Sequence, residues 1–223
     1  MVFTKLYICP GIHQPSLTQS FLNGLAQTFG SAWSDRLILG VLPATVPPYA
    51  PRLVLEHFEN CLEKCLEKCL ENCRADSLGE RQEGAGSGGK GSKEDVVWIG
   101  FSAGVVGGLL AARQWHREGL DQRLEIGGSV KTFSVKAFIA IDGWGVPLWA
   151  DFPVYSLSPD RFAYEMTRGL RSPLPHFYAE PGVSHLALWE SPQRAMGWEE
   201  SPAGTRLRLN AVQYIERCIY QGV

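Results

Sequence analysis

Val96-Val97-Trp98-Ile99-Gly100-Phe101-Ser102-Ala103-Gly104-Val105-Val106-Gly107-Gly108-Leu109-Leu110-Ala111-Ala112 is a run of 17 residues without a charge. Its length sits at the short edge of a membrane span, which needs roughly 17–25 apolar residues. Four glycines and a serine fall inside it, so a buried strand followed by a buried helix describes it better. Residues 96–100 are the strand and Ala103 to Arg117 the helix, with small residues on its early face. Between them stands Gly100-Phe101-Ser102-Ala103-Gly104, the pattern Gly-x-Ser-x-Gly placed in a strand–turn–helix setting. Such a turn is tight enough that a Cβ at either glycine would meet neighbouring backbone, and the serine is expected to take a strained conformation. The helix behind Ser102 brings a positive dipole end and unpaired N–H groups to the same place.

Outward from that turn, elements alternate. Lys5 to Cys9 reads as a strand ending at Pro10-Gly11, and Leu17 to Phe29 as a helix with Ser16 as N-cap. Arg36 to Leu42 reads as a second strand, and Pro51 opens a long helix that runs to about Cys73. Residues 76–95 hold six glycines and almost nothing apolar, which predicts a disordered surface insertion. Gly119 to Ser134 is a polar or hairpin-like connection, Val135 to Ile141 a buried strand, and 144–157 an irregular, aromatic-rich stretch. Ser158 to Leu170 reads as a helix with Ser158 as N-cap, His176 to Ala179 as a short strand, and Leu207 to Tyr220 as an amphipathic closing helix. The strands are continuous apolar runs, the signature of a parallel sheet covered on both faces. The expected fold is α/β: one domain over residues 1–223, with a mainly parallel sheet of about five to six strands and helices on both faces.

With its turn GFSAG, the chain resembles the α/β-hydrolase family, at its small, lipase- or esterase-like end. The resemblance is specific at the turn and extends over the chain as a pattern of elements. It implies Ser102 as a nucleophile, followed in the chain by an acid and then a histidine. Asp142 ends the strand VKAFIAI, at the carboxyl edge where sites in open α/β sheets form. Glu180 also ends a strand, but lies only five residues before His185, too few for a helical crossover. Asp151 and Asp160 fall in the irregular stretch and at a helix start, where carboxylates are ordinary. Of the five histidines, His185 lies just past the strand HFYAE, whereas His57 and His116 sit on helices and His176 opens a strand. The resemblance also makes Pro10-Gly11-Ile12-His13 the oxyanion loop, with backbone N–H groups of Ile12 or His13 acting beside that of Ala103. The loop lacks the HGGG string of many lipases and esterases. Phe101, Trp144 and Trp149 are the expected walls of a substrate pocket, although Trp144, Trp149, Phe152, Tyr155, Phe162 and Tyr164 fit a small cap or the buried core of an irregular segment equally well.

A serine hydroxyl is a poor nucleophile at neutral pH and needs a base within hydrogen-bond reach. Neutral His185 would take its proton, and Asp142 would hold the ring and stabilise the imidazolium. The expectation is a serine hydrolase that cleaves a carboxylic ester or thioester through an acyl-enzyme, with neither cofactor nor metal. The alternatives are a non-catalytic binding protein of the same fold and an acyltransferase using the same three groups.

Composition narrows the partners. Lys and Arg total 21 against 23 Asp and Glu, a net charge of −2, so no basic excess exists to hold a nucleic acid backbone. A small acyl ester is the expected partner, with no integral membrane segment, and oligomeric state is open. Residues 1–10 have neither the basic region nor the long apolar core of a signal peptide. Cys61, Cys65, Cys69 and Cys73 recur every four residues in CLEKCLEKCLENC. On a helix they span about 18 Å, too far to converge on one zinc whose sulfur ligands lie about 2.3 Å away. They read as small apolar residues on one helix, and free thiols fit a reducing, cytoplasmic compartment.

Overall fold

A computed structural model describes residues 4–30, 38–77, 92–118, 124–126, 129–143 and 145–221. In chain order they form β1 (Thr4–Cys9), α1 (Pro15–Phe29), β2 (Ile38–Val41), α2 (Pro51–Ser77), β3 (Ser92–Phe101), α3 (Ala103–Arg117), β4 (Leu124–Ile126) and β5 (Ser129–Ile141). Then come β6 (Val154–Ser158), α4 (Arg161–Met166), a 3₁₀ turn (Arg168–Leu170), β7 (His176–Ala179), α5 (His185–Glu190), β8 (Met196–Glu200), β9 (Arg206–Asn210) and α6 (Ala211–Gln221). Eight strands lie side by side in the order β2-β1-β3-β5-β6-β7-β8-β9, and β4 pairs with β5. Neighbours from β2 through β7 are parallel, while the β7–β8, β8–β9 and β4–β5 pairs are antiparallel.

Alternation along the central strands explains their unbroken apolar sequence. On β1, Leu6 and Ile8 enter one core, and Tyr7 and Cys9 enter the other. On β3, Val97, Ile99 and Phe101 join the first, and Val96 and Trp98 the second. Phe21 and Leu25 of α1, Trp189 of α5 and Val212 and Ile215 of α6 close the first face. Val54 and Phe58 of α2 and Val105, Leu109 and Trp115 of α3 close the second. A strand buried on both sides has no solvated row to carry polar residues, so period-2 patterning disappears from its sequence. Trp98, fully buried, packs against Tyr7 at 4.7 Å and Phe58 at 4.5 Å between ring centroids.

Several sequence expectations are corrected. The described residues hold nine strands, not five or six. β8 and β9 were hidden because an antiparallel hairpin at the sheet edge keeps one face wet. MGWEE and RLRLN therefore carry charges where a parallel strand carries valines. Leu207 and Leu209 alternate along β9, and helix α6 begins only at Ala211. All of β6 but its last residue lies inside the stretch expected to be irregular. All five of its residues are buried, but prolines bracket it and leave too short a run to register. Ser158 ends β6, and Asp160 caps α4 instead, its carboxylate accepting from the Ala163 N–H at 2.7 Å. Pro15 opens α1 with Gln14 in the cap position, so Ser16 is inside the helix. The hairpin-like connection expected over 119–134 is found as the antiparallel β4–β5 pair where it is described. Of the expected insertion, residues 76–77 end α2 and 92–95 begin β3, while 78–91 lie outside the described residues.

Candidate active site

The chain leaves β1 toward β2 on one side, then returns to place β3 on the other. That reversal of winding opens a crevice at the carboxyl ends of β1 and β3, the place where open α/β sheets bind ligands. Ser102 lies at the end of β3, and the loop at residues 10–14 at the end of β1.

Only two described residues other than glycine have positive φ: Ser102 at 52° and Asp142 at 48°. Each ends a central strand, β3 and β5 respectively. Left-handed backbone in a residue bearing a Cβ costs on the order of 1–3 kcal/mol and persists only where its surroundings enforce it. The surroundings here are close-packed. A Cβ at Gly104 would stand 2.0 Å from the Cys9 carbonyl oxygen, and one at Gly100 2.9 Å from the Gly104 oxygen and the Val105 Cα. The Ser102 N–H donates to the Ile141 oxygen at 3.0 Å and the Asp142 N–H to the Leu157 oxygen at 2.8 Å, pinning both turns to the sheet. Serine at a helix start ordinarily caps it through its hydroxyl. Ser102 occupies the cap position of α3 with no side-chain cap bond, so the common structural use of its Oγ is not made.

His185 is the first residue of α5, whose N-cap Ser184 accepts from the Ala187 N–H at 3.2 Å. Its Nδ1 lies 2.5 Å from Asp142 Oδ2, a hydrogen bond across 43 residues of chain. An ionised carboxylate only accepts, so Nδ1 donates and Nε2 is the nitrogen left to receive a proton. The imidazole is 43% exposed, whereas the Asp142 side chain is 10% exposed. Ser102, Asp142 and His185 line one groove of about 550 Å³, together with Val106, Val146 and Phe162. Among the described residues no hydrogen bond joins the Ser102 hydroxyl to the ring. Such contacts often tighten only when substrate is bound.

Beneath His185 runs a stack of aromatic faces. Phe101 lies 4.5 Å from the imidazole at 25°, Trp189 lies 4.8 Å from Phe101 at 14°, and Phe21 lies 3.8 Å from Trp189 at 8°. Phe101 is therefore the fully buried floor under the ring, not a pocket wall. Trp149 is 63% exposed and lines a separate recess with Arg113, His116 and Phe152. The chain turns away before it, at Leu148, which bridges to Arg171. Trp144 lies outside the described residues. Among the described aromatics after Asp142, Phe162 is the one at the groove.

Ala103 is the first residue of α3, so its N–H has no intrahelical acceptor. Opposite it, the β1–α1 loop presses against the turn. A Cβ at Gly11 would lie 3.0 Å from both the Phe101 oxygen and the Ser102 Cβ. Ile12 is 74% exposed on the rim. The His13 ring turns inward, its Nδ1 2.9 Å from the Gln14 oxygen and its centroid 5.5 Å from that of Phe101, the two rings inclined at 60°. The sequence places Gly11 in this loop but not against Ser102, because Pro-Gly signals a turn and not what the turn touches.

The remaining histidines and carboxylates have other partners. His57 Nε2 is 3.4 Å from Cys61 Sγ, His116 packs on Phe152, and His176 is buried. Glu180 accepts from the Trp198 indole N–H at 2.6 Å. α2 carries the cysteine repeat on one helix, with Cys61 and Cys65 half-buried; the side chains of Cys69 and Cys73 lie outside the described residues. No group of metal-ligating side chains occurs among the described residues.

These features define an α/β protein with a mostly parallel sheet and two strained turns at its carboxyl edge. No family model matches the chain, and no curated protein matches it. No described helix is long and apolar enough to cross a membrane.

Proposed function

We propose that this chain is a small serine hydrolase of the α/β-hydrolase type, which cleaves a carboxylic ester or thioester through an acyl-enzyme on Ser102. The observation that carries the reading is one groove holding both a strained, uncapped serine and the His185–Asp142 pair. Ser102 Oγ attacks the carbonyl carbon while its proton passes to His185 Nε2. The tetrahedral intermediate collapses, the bond to the leaving oxygen or sulfur breaks, and the same proton goes to that atom. Water then attacks the acyl-enzyme, giving its proton to Nε2, and collapse returns it to Ser102 as the acid departs. Asp142 keeps the ring in the Nδ1–H tautomer and stabilises the imidazolium. Developing negative charge on the carbonyl oxygen is met by the Ala103 N–H and by an N–H of the Gly11–His13 loop. The net charge of −2 favours a small substrate over nucleic acid. Among the described residues, Cys9, Cys61 and Cys218 form no disulfide, which favours a reducing, cytoplasmic compartment.

A fluorophosphonate probe tests this reading, because it phosphonylates only an activated serine. Wild-type protein takes up one label, and Ser102→Ala takes up none. A folded wild-type protein that stays unlabelled, or a label that survives in Ser102→Ala, overturns the proposal.

A further inference from the structure

A recess of about 310 Å³ lies at the edge of the sheet opposite to Ser102. It forms where β7 opens at His176 and the antiparallel β8 ends at Glu200, the register partner of that histidine. Arg168 and Arg171 line it, with Tyr164, His176, Glu200 and Ser201. Half-buried Arg171 is fixed at both ends. Its backbone bridges to Leu148, and its guanidinium carbon stands 3.7 Å from the centre of the Tyr164 ring. That ring covers one face of the guanidinium and leaves its edges for hydrogen bonds. Nε and Nη1 are nonetheless buried without a hydrogen-bond partner among the described residues. Burial pulls the pKa of Arg171 below the ordinary arginine value, as expected of a cation stripped of part of its water. The carboxylates nearby are committed elsewhere. Glu200 pairs with Arg206 at 2.7 Å, and Glu165 lies 3.8 Å from Arg168 and 3.9 Å from Arg161. Ser172 Oγ donates to the Val154 oxygen, whereas Ser201 Oγ accepts from the Thr205 N–H at 3.1 Å and keeps its own O–H to donate.

We infer that this recess binds the phosphate group of a small phosphate monoester, with Arg171 as the principal donor and Arg168 as the second cation. The inference stands apart from the hydrolase reading, since it uses none of the groups at Ser102. A buried guanidinium without acceptors carries a desolvation cost, and an oxyanion supplies what it lacks. The planar fork of arginine matches phosphate oxygens two at a time. A phosphate monoester at neutral pH carries nearly two negative charges and three acceptor oxygens. Two guanidinium groups and the Ser201 hydroxyl meet that demand, whereas a carboxylate, with one charge and two oxygens, leaves donors over. At about 30 Å³ per water-sized group, the recess holds roughly ten heavy atoms. The phosphate group takes half of them, and Pro173, Leu174 and Pro202 give the rest of the ligand an apolar wall.

Titration calorimetry on the whole chain at pH 7.5 and fixed ionic strength tests the site, with glycerol 3-phosphate, inorganic phosphate and acetate as probes. Glycerol 3-phosphate binds once per chain, more tightly than inorganic phosphate, and acetate does not compete. Arg171→Gln weakens it at least about 10-fold, the scale of hydrogen bonds to a charged group. Arg168→Gln, at a side chain 76% exposed, weakens it about 3-fold, and this variant decides the matter if Arg171→Gln does not fold. Nuclear magnetic resonance locates the ligand: the ring signals of His176 shift on binding, and those of His185 do not. No binding at 10 mM of about ten times the protein concentration, equal affinity for acetate, or affinity unchanged in the folded variants overturns the site. A shift at His185 instead of His176 overturns it too, and equal affinity for inorganic phosphate overturns the ester.

Discussion

Strand β7 has a histidine near each end, and the two live in opposite environments. His176 opens the strand at 5% exposure. The Ser156 N–H donates to its Nδ1 at 3.1 Å, so Nε2 carries the proton and donates to the Ser172 oxygen at 2.8 Å. Burial, reinforced by the Arg171 charge, lowers its pKa to about 4. His185 lies beyond the other end, 43% exposed, with a carboxylate on Nδ1 and an aromatic face beneath it. One imidazole is locked neutral between backbone groups and keeps nothing for chemistry. The other is held on one nitrogen only, and at the carboxyl edge. Environment, not residue type, separates a structural histidine from a candidate base.

The comparison breaks most visibly at His185. His185→Ala should lose about 10⁶-fold in kcat on an ester that the wild type turns over, as removal of the base does in comparable triads. Its unfolding midpoint in urea should move little, since the side chain is half in water. Activity retained within 100-fold would erase the functional distinction between the two rings.

At the other end of β7 the effect is on stability. The folded pKa of His176 lies below the usual value near 6.5, so the unfolded chain binds the extra proton first. The contribution is complete above about pH 6.5 and is lost as pH falls toward 4. It amounts to about 3 kcal/mol, from a shift of some two and a half units at 1.36 kcal/mol each. Urea unfolding at pH 7 and pH 4 should show that loss, and His176→Gln should flatten the slope. Equal pH dependence in both proteins would remove His176 from the account.

The smallest expected effect sharpens the contrast between strained and relaxed parts of the edge. Ser102→Gly relieves a φ of 52° and should raise stability by about 1 kcal/mol while abolishing probe labelling. A destabilised glycine variant would mean that the backbone there is not under strain.

The turn at Ser102 was legible because its determinants are local: two glycines, a serine, an apolar run before and a helix after. Asp142 was legible as a strand-end position and His185 as a residue following a strand, in chain order, although their hydrogen bond spans 43 residues. The hairpin β8–β9 was not legible, because its half-solvated strands lack the apolar run that marks the centre of the sheet. Nor was Phe101's direction: alternation puts it on one face of β3, but which face lies under His185 depends on where α5 docks.

Residue order alone determined the alternation of helices and strands, the burial of the central strands on both faces and the tight serine turn. These follow from backbone sterics and from which side chains avoid water within a few residues. Tertiary structure decided the strand order, the meeting of His185 with Asp142, the loop at Gly11 against Ser102 and the recess at Arg171. Those depend on which segments, distant along the chain, share an edge of the sheet, and periodicity within a segment carries no record of its neighbour.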